Sequence, residues 1–328
     1  MILTVTANPS LDRTVGLEAP LARGKVQRAV SAGAQPGGKG VNVSRALHVS
    51  GTETLAILPG DPEDPVVHGL ALTGVPTAAL PVGAPIRSNI TVTEPDGTTT
   101  KINEPGSGLT AAQVDALVAL VLRHALGAEW VVLAGSLPPG APVDLWARMT
   151  EEIRTLDPAP AIAVDASGAP LQAAMRARPD LIKPNEEELA ELLAGLGEEL
   201  EAPITDEPES VVPAAALLVT GAAAGGPGAH AVLATLGGNG AVLVTADLAL
   251  HAVHAPVTVR STVGAGDSSL AGYLLAAGRG DDEAGRLRQA VAHGSAAASL
   301  PGTTVPGLTD TTPDLVQLHP LPLPSKEM

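Results

Sequence analysis

Between Leu109 and Leu196 short apolar runs alternate with longer segments of helical period, and this alternation restricts the possible folds most. Trp130–Ala134, Ala161–Val164 and Leu181–Lys183 read as strands, apolar enough to be covered on both faces as in a parallel sheet. Thr110 to Leu122 reads as a helix with a capping box, Thr110 and Gln113, and a stripe at Val114, Leu117, Val118, Val121 and Leu122. A second helix is expected from about Pro142 to Leu156, and a third carries Leu189, Leu192, Leu193 and Leu196 on one face. This order predicts an α/β fold with a mostly parallel central sheet and helices on both faces. Ligands of such sheets bind outside the carboxyl ends of the strands. Polar clusters fall there: Gly135-Ser136-Leu137-Pro138, Asp165-Ala166-Ser167-Gly168, and Pro184-Asn185 through Glu188. Asn185 and Glu188 read as an N-cap and N3 pair, which is compatible with an outer-shell role toward magnesium.

The first strand, Ile2 to Thr6, ends the same way, on Asn8-Pro9-Ser10-Leu11-Asp12. Asp12 either closes an Asx turn beside Pro9 or accepts hydrogen bonds from sugar hydroxyls. Gly33 and Gly38-Lys39 nearly match a phosphate-binding Walker loop. Position 40, however, is Gly where a magnesium-binding Ser or Thr belongs, and Pro36 is expected to break any strand leading in. Gly37-Gly38-Lys39-Gly40 instead opens a helix, with backbone that a ligand can approach closely and Lys39 and Asn42 as polar handles. Residues Ile86 to Glu104 alternate as a hairpin around Glu94-Pro95-Asp96-Gly97, placing Arg87, Asn89, Lys101 and Asn103 on one polar face.

Further on, Glu201 to His230 is broken by Pro203, Pro208, Pro213 and Pro227, and predicts only a short helix around Val211 to Leu218 and a flexible insertion. Strands follow at Val232–Leu236, Ala241–Thr245 and Leu248–Val253, with Gly237 to Gly240 as a turn. His251 and His254, three apart on a strand, point to opposite faces and make a poor metal pair. Thr262-Val263-Gly264-Ala265-Gly266-Asp267-Ser268 leads into a helix from Leu270 to Ala277. Helix-entrance amides can gather around an anion. An acid there either favours the helix dipole or takes a proton from a hydroxyl that attacks a phosphoryl group. Asp282 to Ser299 is a small-residue helix whose Ala and Gly face suits either a flat ring or a tight helix contact. Pro301 to Met328 is Pro-rich, with its last eight or so residues expected to be mobile.

Composition narrows the partners. A net charge of −16 opposes binding to nucleic acid or an anionic membrane, so an anionic ligand must meet a local cluster of donors. With no cysteine, thiolate chemistry and disulfides are excluded. No signal peptide and no long unbroken apolar run are apparent, which makes a soluble cytoplasmic protein the expectation. Aromatic residues form only 1% and Phe is absent, so Ala, Val and Leu must fill the core.

Taken in order, Gly37-Gly38-Lys39-Gly40-Val41-Asn42 and Ser261-Thr262-Val263-Gly264-Ala265-Gly266-Asp267 resemble the two signatures of the ribokinase-like, or PfkB, sugar kinase family. Gly135-Ser136-Leu137-Pro138, Lys183-Pro184-Asn185 through Glu188, and Thr235 to Gly240 resemble further blocks of it, so the likeness spans nearly the whole chain. The resemblance implies one ribokinase-like domain over residues 1–328, with a small β-sheet lid from segments near 12–32 and 75–105. Thr6 to Asp12, Ile102 to Gly106 and Ser261 to Gly264 are similar to the branch that phosphorylates fructose 1-phosphate at its 6-hydroxyl. Branches acting on tagatose 6-phosphate or fructose 6-phosphate share much of this pattern.

The resemblance also implies roles. Asp267 is the general base, and the Gly264, Ala265 and Gly266 amides offset charge on the transferring group. Asp12, Gly37, Gly38, Lys39, Asn42, Arg87 and Ser136 bind the sugar phosphate, with Lys25 and Lys101 as further candidates. Lys183, Asn185, Thr235, Gly237, Gly240 and Gly294 face ATP, and Glu188 meets Mg2+ through water. A homodimer through the lid is a further expectation. Two stretches depart from relatives: Leu58 to Pro62, beside the lid, and the Gly- and Ala-rich Gly221 to Ala229, expected close to the nucleotide edge.

Overall fold

The computed structural model describes residues 1–198, 200 and 202–324. Among them, ten strands form one large sheet. Its centre is β1 (Ile2–Thr6), β4 (Thr54–Pro59), β5 (Thr77–Leu80), β8 (Trp130–Ala134), β9 (Ala161–Asp165), β10 (Leu181–Ile182) and β11 (Val232–Thr235), all parallel. An antiparallel edge follows, made of β12 (Ala241–Val244), β13 (Ala249–His254) and β14 (Val316–Leu321). Across the sheet the order is β14-β13-β12-β11-β10-β9-β8-β1-β4-β5.

Alternate residues of these strands feed two cores. Val131 and Leu133 join Leu117, Trp146 and Leu189 beneath helices α3 (Ala111–Ala125), α4 (Leu145–Ile153), α5 (Gly168–Ala174), α6 (Glu186–Leu196) and α7 (Pro208–Ala223). Val132 and Ala134 join Leu47, Leu270 and Ala290 beneath α1 (Lys39–Val49), α8 (Ala265–Gly278) and α9 (Glu283–Ser299). A third, smaller core under α2 (Pro65–Leu72) gathers Val41, Leu58 and Leu70. Strand pattern alone therefore places helices on both faces of the sheet.

A separate four-stranded sheet contains β2 (Ser10–Leu17), β3 (Ala29–Gly37), β6 (Arg87–Thr93) and β7 (Thr99–Asn103), in the order β3-β2-β6-β7. Asn89 pairs with Asn103 and Thr91 with Lys101, the register that puts the polar residues of the hairpin on one face. Residues 77–80, within the stretch associated above with the lid, instead pair with β4 in the large sheet. At the departure Leu58 to Pro62, Gly60 lets Ile86 and Val67 close in, a Cβ there lying 2.9 Å from each. Asp61 accepts from the Val82 and Gly83 amides, which fastens that approach.

Three further expectations are corrected. Pro36 does not break the approach to Gly38, because β3 is an edge strand and a residue without an N–H is tolerated there. Residues 208–223 form one helix through Pro213, since burial of Val211, Val212, Ala215, Leu218 and Val219 outweighs the lost bond. The Gly221 to Ala229 segment is tied by backbone bonds, Gly226 N–H to Gly221 O and Gly228 N–H to Met175 O, both 2.9 Å. It leads into the amino end of β11, the edge of the sheet opposite the carboxyl ends, so it is remote from the expected nucleotide edge. Val316 to Leu321 is a strand, although Pro320 lies within it; residues 325–328 of the tail expected to be mobile lie outside the described residues.

Candidate active site

The carboxyl ends of the central strands open into a cleft of ≈ 1070 Å³. Lys39, Lys101, Lys183, Asn185, Glu188, Thr235, Gly237, Gly240, Gly264, Ala265, Gly266, Asp267 and Gly294 all line it. Lys101 comes from β7, so the small sheet reaches the cleft.

Asp267 sits in the first turn of α8, buried, with Gly264 as N-cap at φ 78 and no side chain capping the helix. Positive φ at this turn is readily held by glycine. The Ala265 N–H is directed to Thr262 O at 3.4 Å, while no side chain caps the turn that lines the cleft, and the helix dipole favours an anion there. Asn42 Nδ2 donates to Asp267 Oδ2 at 2.8 Å, and Arg45 Nη1 donates to Asn42 Oδ1 at 3.4 Å, which fixes the direction of the amide. Burial, followed by the nearby charge of Asp165, pushes Asp267 up to about 6. The Asn42 bond and the charges of Lys183 and Lys39 act the other way.

The lysines are organised by Asp165, at the end of β9 and fully buried. Its Oδ1 lies 2.8 Å from Lys39 Nζ and its Oδ2 3.2 Å from Lys183 Nζ. Burial opposes its charge, but the two lysines hold its carboxyl below the usual range. Lys39 also meets Glu188 Oε1 at 3.5 Å, and although burial lowers its proton affinity, Asp165 and Glu188 raise it overall. Asn185 and Glu188 form the expected capping box of α6, and Asn185 bridges to Thr235 on β11.

Of the remaining expected residues, Asp12, Gly37, Gly38, Asn42, Arg87 and Ser136 are not among the cleft-lining residues. Asp12 accepts from Ser10 Oγ at 2.7 Å and Asn89 Nδ2 at 3.1 Å, and lies so close to Gly37 that a Cβ there would overlap its carboxylate. Gly38 has φ 111 and abuts Thr6. Asn8 donates to Ser136 Oγ at 3.3 Å and takes a bond from Arg87 Nη2 at 3.2 Å on its carbonyl. Arg87 Nη1 donates to Glu104 O at 2.9 Å, while its buried Nε has no partner among the described residues. Lys25 lies in an exposed turn outside the cleft lining. Gly294 packs against Ser269 on α8, where a Cβ would overlap the hydroxyl. His251 and His254 have separate partners, Asn239 O and Thr312 Oγ1.

Two residues carried no expected role. Asp165 had the same positional signal as Ser136 and Asn185, a polar side chain at a strand's carboxyl end. Arg45 had none beyond lying one turn after Asn42.

Glu186 and Glu188 supply hard oxygen donors at the cleft. Both Glu188 oxygens already have partners, Lys39 and the Asn185 N–H, so this side fits a magnesium ion held through its water.

A doubly covered parallel sheet, a second small sheet reaching its carboxyl edge, and an acid in an uncapped anion turn define a ribokinase-like phosphotransferase fold. The profile of the pfkB family carbohydrate kinases matches residues 6–310, and the chain belongs to that family. It is 36% identical to a 1-phosphofructokinase of Haloferax volcanii over 94% of this chain and 95% of the relative. It is 33% identical to the ATP-dependent 6-phosphofructokinase isozyme 2 of Escherichia coli, over 94% and 96%. The structure of Escherichia coli phosphofructokinase-2 in complex with potassium matches at TM-score 0.83 and 31% identity, covering 94% of this chain and 96% of that one. Thermotoga maritima ribokinase shares the fold at TM-score 0.74 and 18% identity, covering 94% of this chain and 97% of that one.

Proposed function

We propose that the protein transfers the terminal phosphoryl group of MgATP to the 6-hydroxyl of fructose 1-phosphate, giving fructose 1,6-bisphosphate. The observation that carries the chemistry is the buried Asp267 in the uncapped first turn of α8. The acid takes the hydroxyl proton as attack begins. The Gly264, Ala265 and Gly266 amides and Lys183 oppose charge on the group in transfer. Lys39, Asn42 and Asp12 orient the sugar, with Arg87 and Lys101 toward its existing phosphate. Thr235, Gly237, Gly240 and Gly294 border the nucleotide, and Lys183 and Asn185 meet its phosphates. Glu188 would hold magnesium through water, and the ion would supply charge screening for those phosphates. The small sheet acts as a lid that excludes water.

The sugar assignment is supported by the likeness to 1-phosphofructokinases such as the Haloferax relative. The likeness to a 6-phosphofructokinase supports fructose 6-phosphate as the second reading. A sugar-phosphate-binding regulator would not require Asp267 in the anion turn. The test is ATP consumption with fructose 1-phosphate, fructose 6-phosphate, tagatose 6-phosphate and free fructose. The highest kcat/KM belongs to fructose 1-phosphate; best turnover of free fructose would refute the phosphosugar reading, and no turnover of any of them would favour the regulator. We also infer a cytoplasmic homodimer, since Val26, Val30 and Ile102 are exposed on or beside the small sheet and a second copy would cover them. A monomeric mass by light scattering at micromolar concentration would exclude it.

A further inference from the structure

Asp165 has no solvent exposure and does not line the cleft, yet each of its oxygens meets a lysine that does. The lysines come from different sides. Lys39 opens α1, one turn before Asn42, whose amide holds Asp267. Lys183 follows β10, and its ammonium packs against the anion turn, so that a Cβ at Gly266 would lie 3.2 Å from Nζ. A buried carboxylate is costly unless paired, so Asp165 and the two ammonium groups fix one another. Without its charge, two cations would crowd one spot with Glu188 beside Lys39 and the charge of Asp267 left to compensate them.

We propose that Asp165 is a positioning residue for phosphoryl transfer, a single carboxylate that ties the acceptor-side Lys39 to the donor-side Lys183 and sets where both ammonium groups stand around the α8 turn. This rests on reading that turn as the site of transfer. Asp165 also sets the field at the base. The groups facing Asp267 are Asp165 from β9, Lys39 and Asn42 from α1, and Lys183 from the link between β10 and α6. Glu188, from α6, faces Lys39. Neutralising Asp165 frees the lysines it held but removes a repulsion larger than the attraction of either one, so the proton on Asp267 is released at lower pH.

The test is a kinetic cycle on the full chain with Asp165→Asn, Lys183→Met and the double variant, each assayed across pH 5–9 with ATP and the sugar phosphate that the wild type turns over best. Asp165→Asn should lower kcat by about tenfold or more, raise the KM for ATP, and move the acid limb of kcat/KM to lower pH. In the Lys183→Met background the same substitution should cost several-fold less than in the wild type, because only the route through Lys39 remains. Equal, additive losses in both backgrounds would overturn the proposal, as would an unmoved acid limb. The double variant removes one charge of each sign, so its comparison with Lys183→Met decides the matter even if Asp165→Asn alone does not fold. A tenfold further loss in the double variant would refute it. Wild-type turnover separates the two readings: no turnover counts against transfer itself, whereas turnover with an additive cycle counts against Asp165.

Discussion

Replacing Asn42 with Leu isolates the bond that keeps Asp267 usable as a base. The amide donates to Asp267 Oδ2 at 2.8 Å within a buried setting, so the bond favours the ionised form. A hydrogen bond to a charged group is worth about 1.5–3 kcal/mol, and one pH unit corresponds to about 1.4 kcal/mol. Its loss therefore raises the proton affinity of Asp267 by roughly 1–2 units. The starting value is about 6. Leu is preferred to Ala because it fills the space and keeps water from replacing the amide. A base acts only when ionised, so kcat/KM is flat above the pKa and falls about tenfold per unit below it. The wild-type acid limb then lies near pH 6. The limb of Asn42→Leu lies about 1–2 units higher, so that at pH 7 the variant runs at roughly a tenth to a half of its own plateau and recovers that plateau toward pH 9. Initial rates of ATP consumption across pH 5–9 measure this. A lowered plateau reports a weaker hold on the sugar once the amide is gone; the position of the limb reports Asp267. A limb that stays in place, or moves down, refutes the argument.

Asp267→Asn should reduce kcat by roughly 10²–10⁴ while calorimetry still detects sugar-phosphate binding; undiminished turnover would remove Asp267 as the base. The same substitution should stabilise the fold at pH 8. The acid titrates at about 6 in the fold against 3.8 ordinarily, so its ionisation costs stability that is lost as pH rises through that window. The melting temperature should rise by about 2 °C or more at pH 8, with the gain shrinking toward pH 4. An equal or lower Tm at pH 8 would show that burial does not strain the carboxylate. Arg87→Ala should chiefly raise the sugar-phosphate KM, because its buried Nε points from the hairpin with no other partner among the described residues; an unchanged KM would limit Arg87 to bracing the Asn8 and Glu104 carbonyls.

Local signals were legible wherever one physical term dominated. The apolar runs Trp130–Ala134 and Ala161–Val164 fall within a residue of the observed strands, because strands buried on both faces have little freedom of composition. The capping boxes at Thr110 and Asn185 were equally plain, since they are set by side chains three residues apart. Failures arose where tertiary packing overrode a local rule. Pro213 lies inside α7 because the helix buries an apolar face, and Pro36 lies in a strand at the edge of the small sheet. The α4 helix is shorter than its apolar pattern suggested, beginning at Leu145 after Asp144. In the site, Asp267 and Asn42 could each be singled out, but their contact joins positions 225 residues apart and no spacing reveals it. Asp165 was hidden for the same reason, since its meaning depends on two lysines brought in by α1 and by the end of β10.

A chain with a net charge of −16 can still bring two phosphorylated anions together, because charge works locally within a protein. Around the α8 turn cations are set within a few ångströms of the carboxylates that balance them, on the side open to the cleft. Lys39 and Lys183 bring two positive charges, and the uncapped helix end adds a partial one. Asp165 is fully buried behind them, so an incoming phosphate meets the ammonium groups before the carboxylate. Asp267 is the exception, an acid at the mouth of the same turn, where its charge repels the group it must approach. A proton affinity near neutrality suits it to the task despite that repulsion, since an acid poised at about 6 is ionised at neutral pH yet basic enough to draw a proton from a hydroxyl under attack. Asn42 and the lysines keep that poise from rising further. Asp165 acts on both sides of the balance, holding the lysines in place while raising the proton affinity of Asp267 directly.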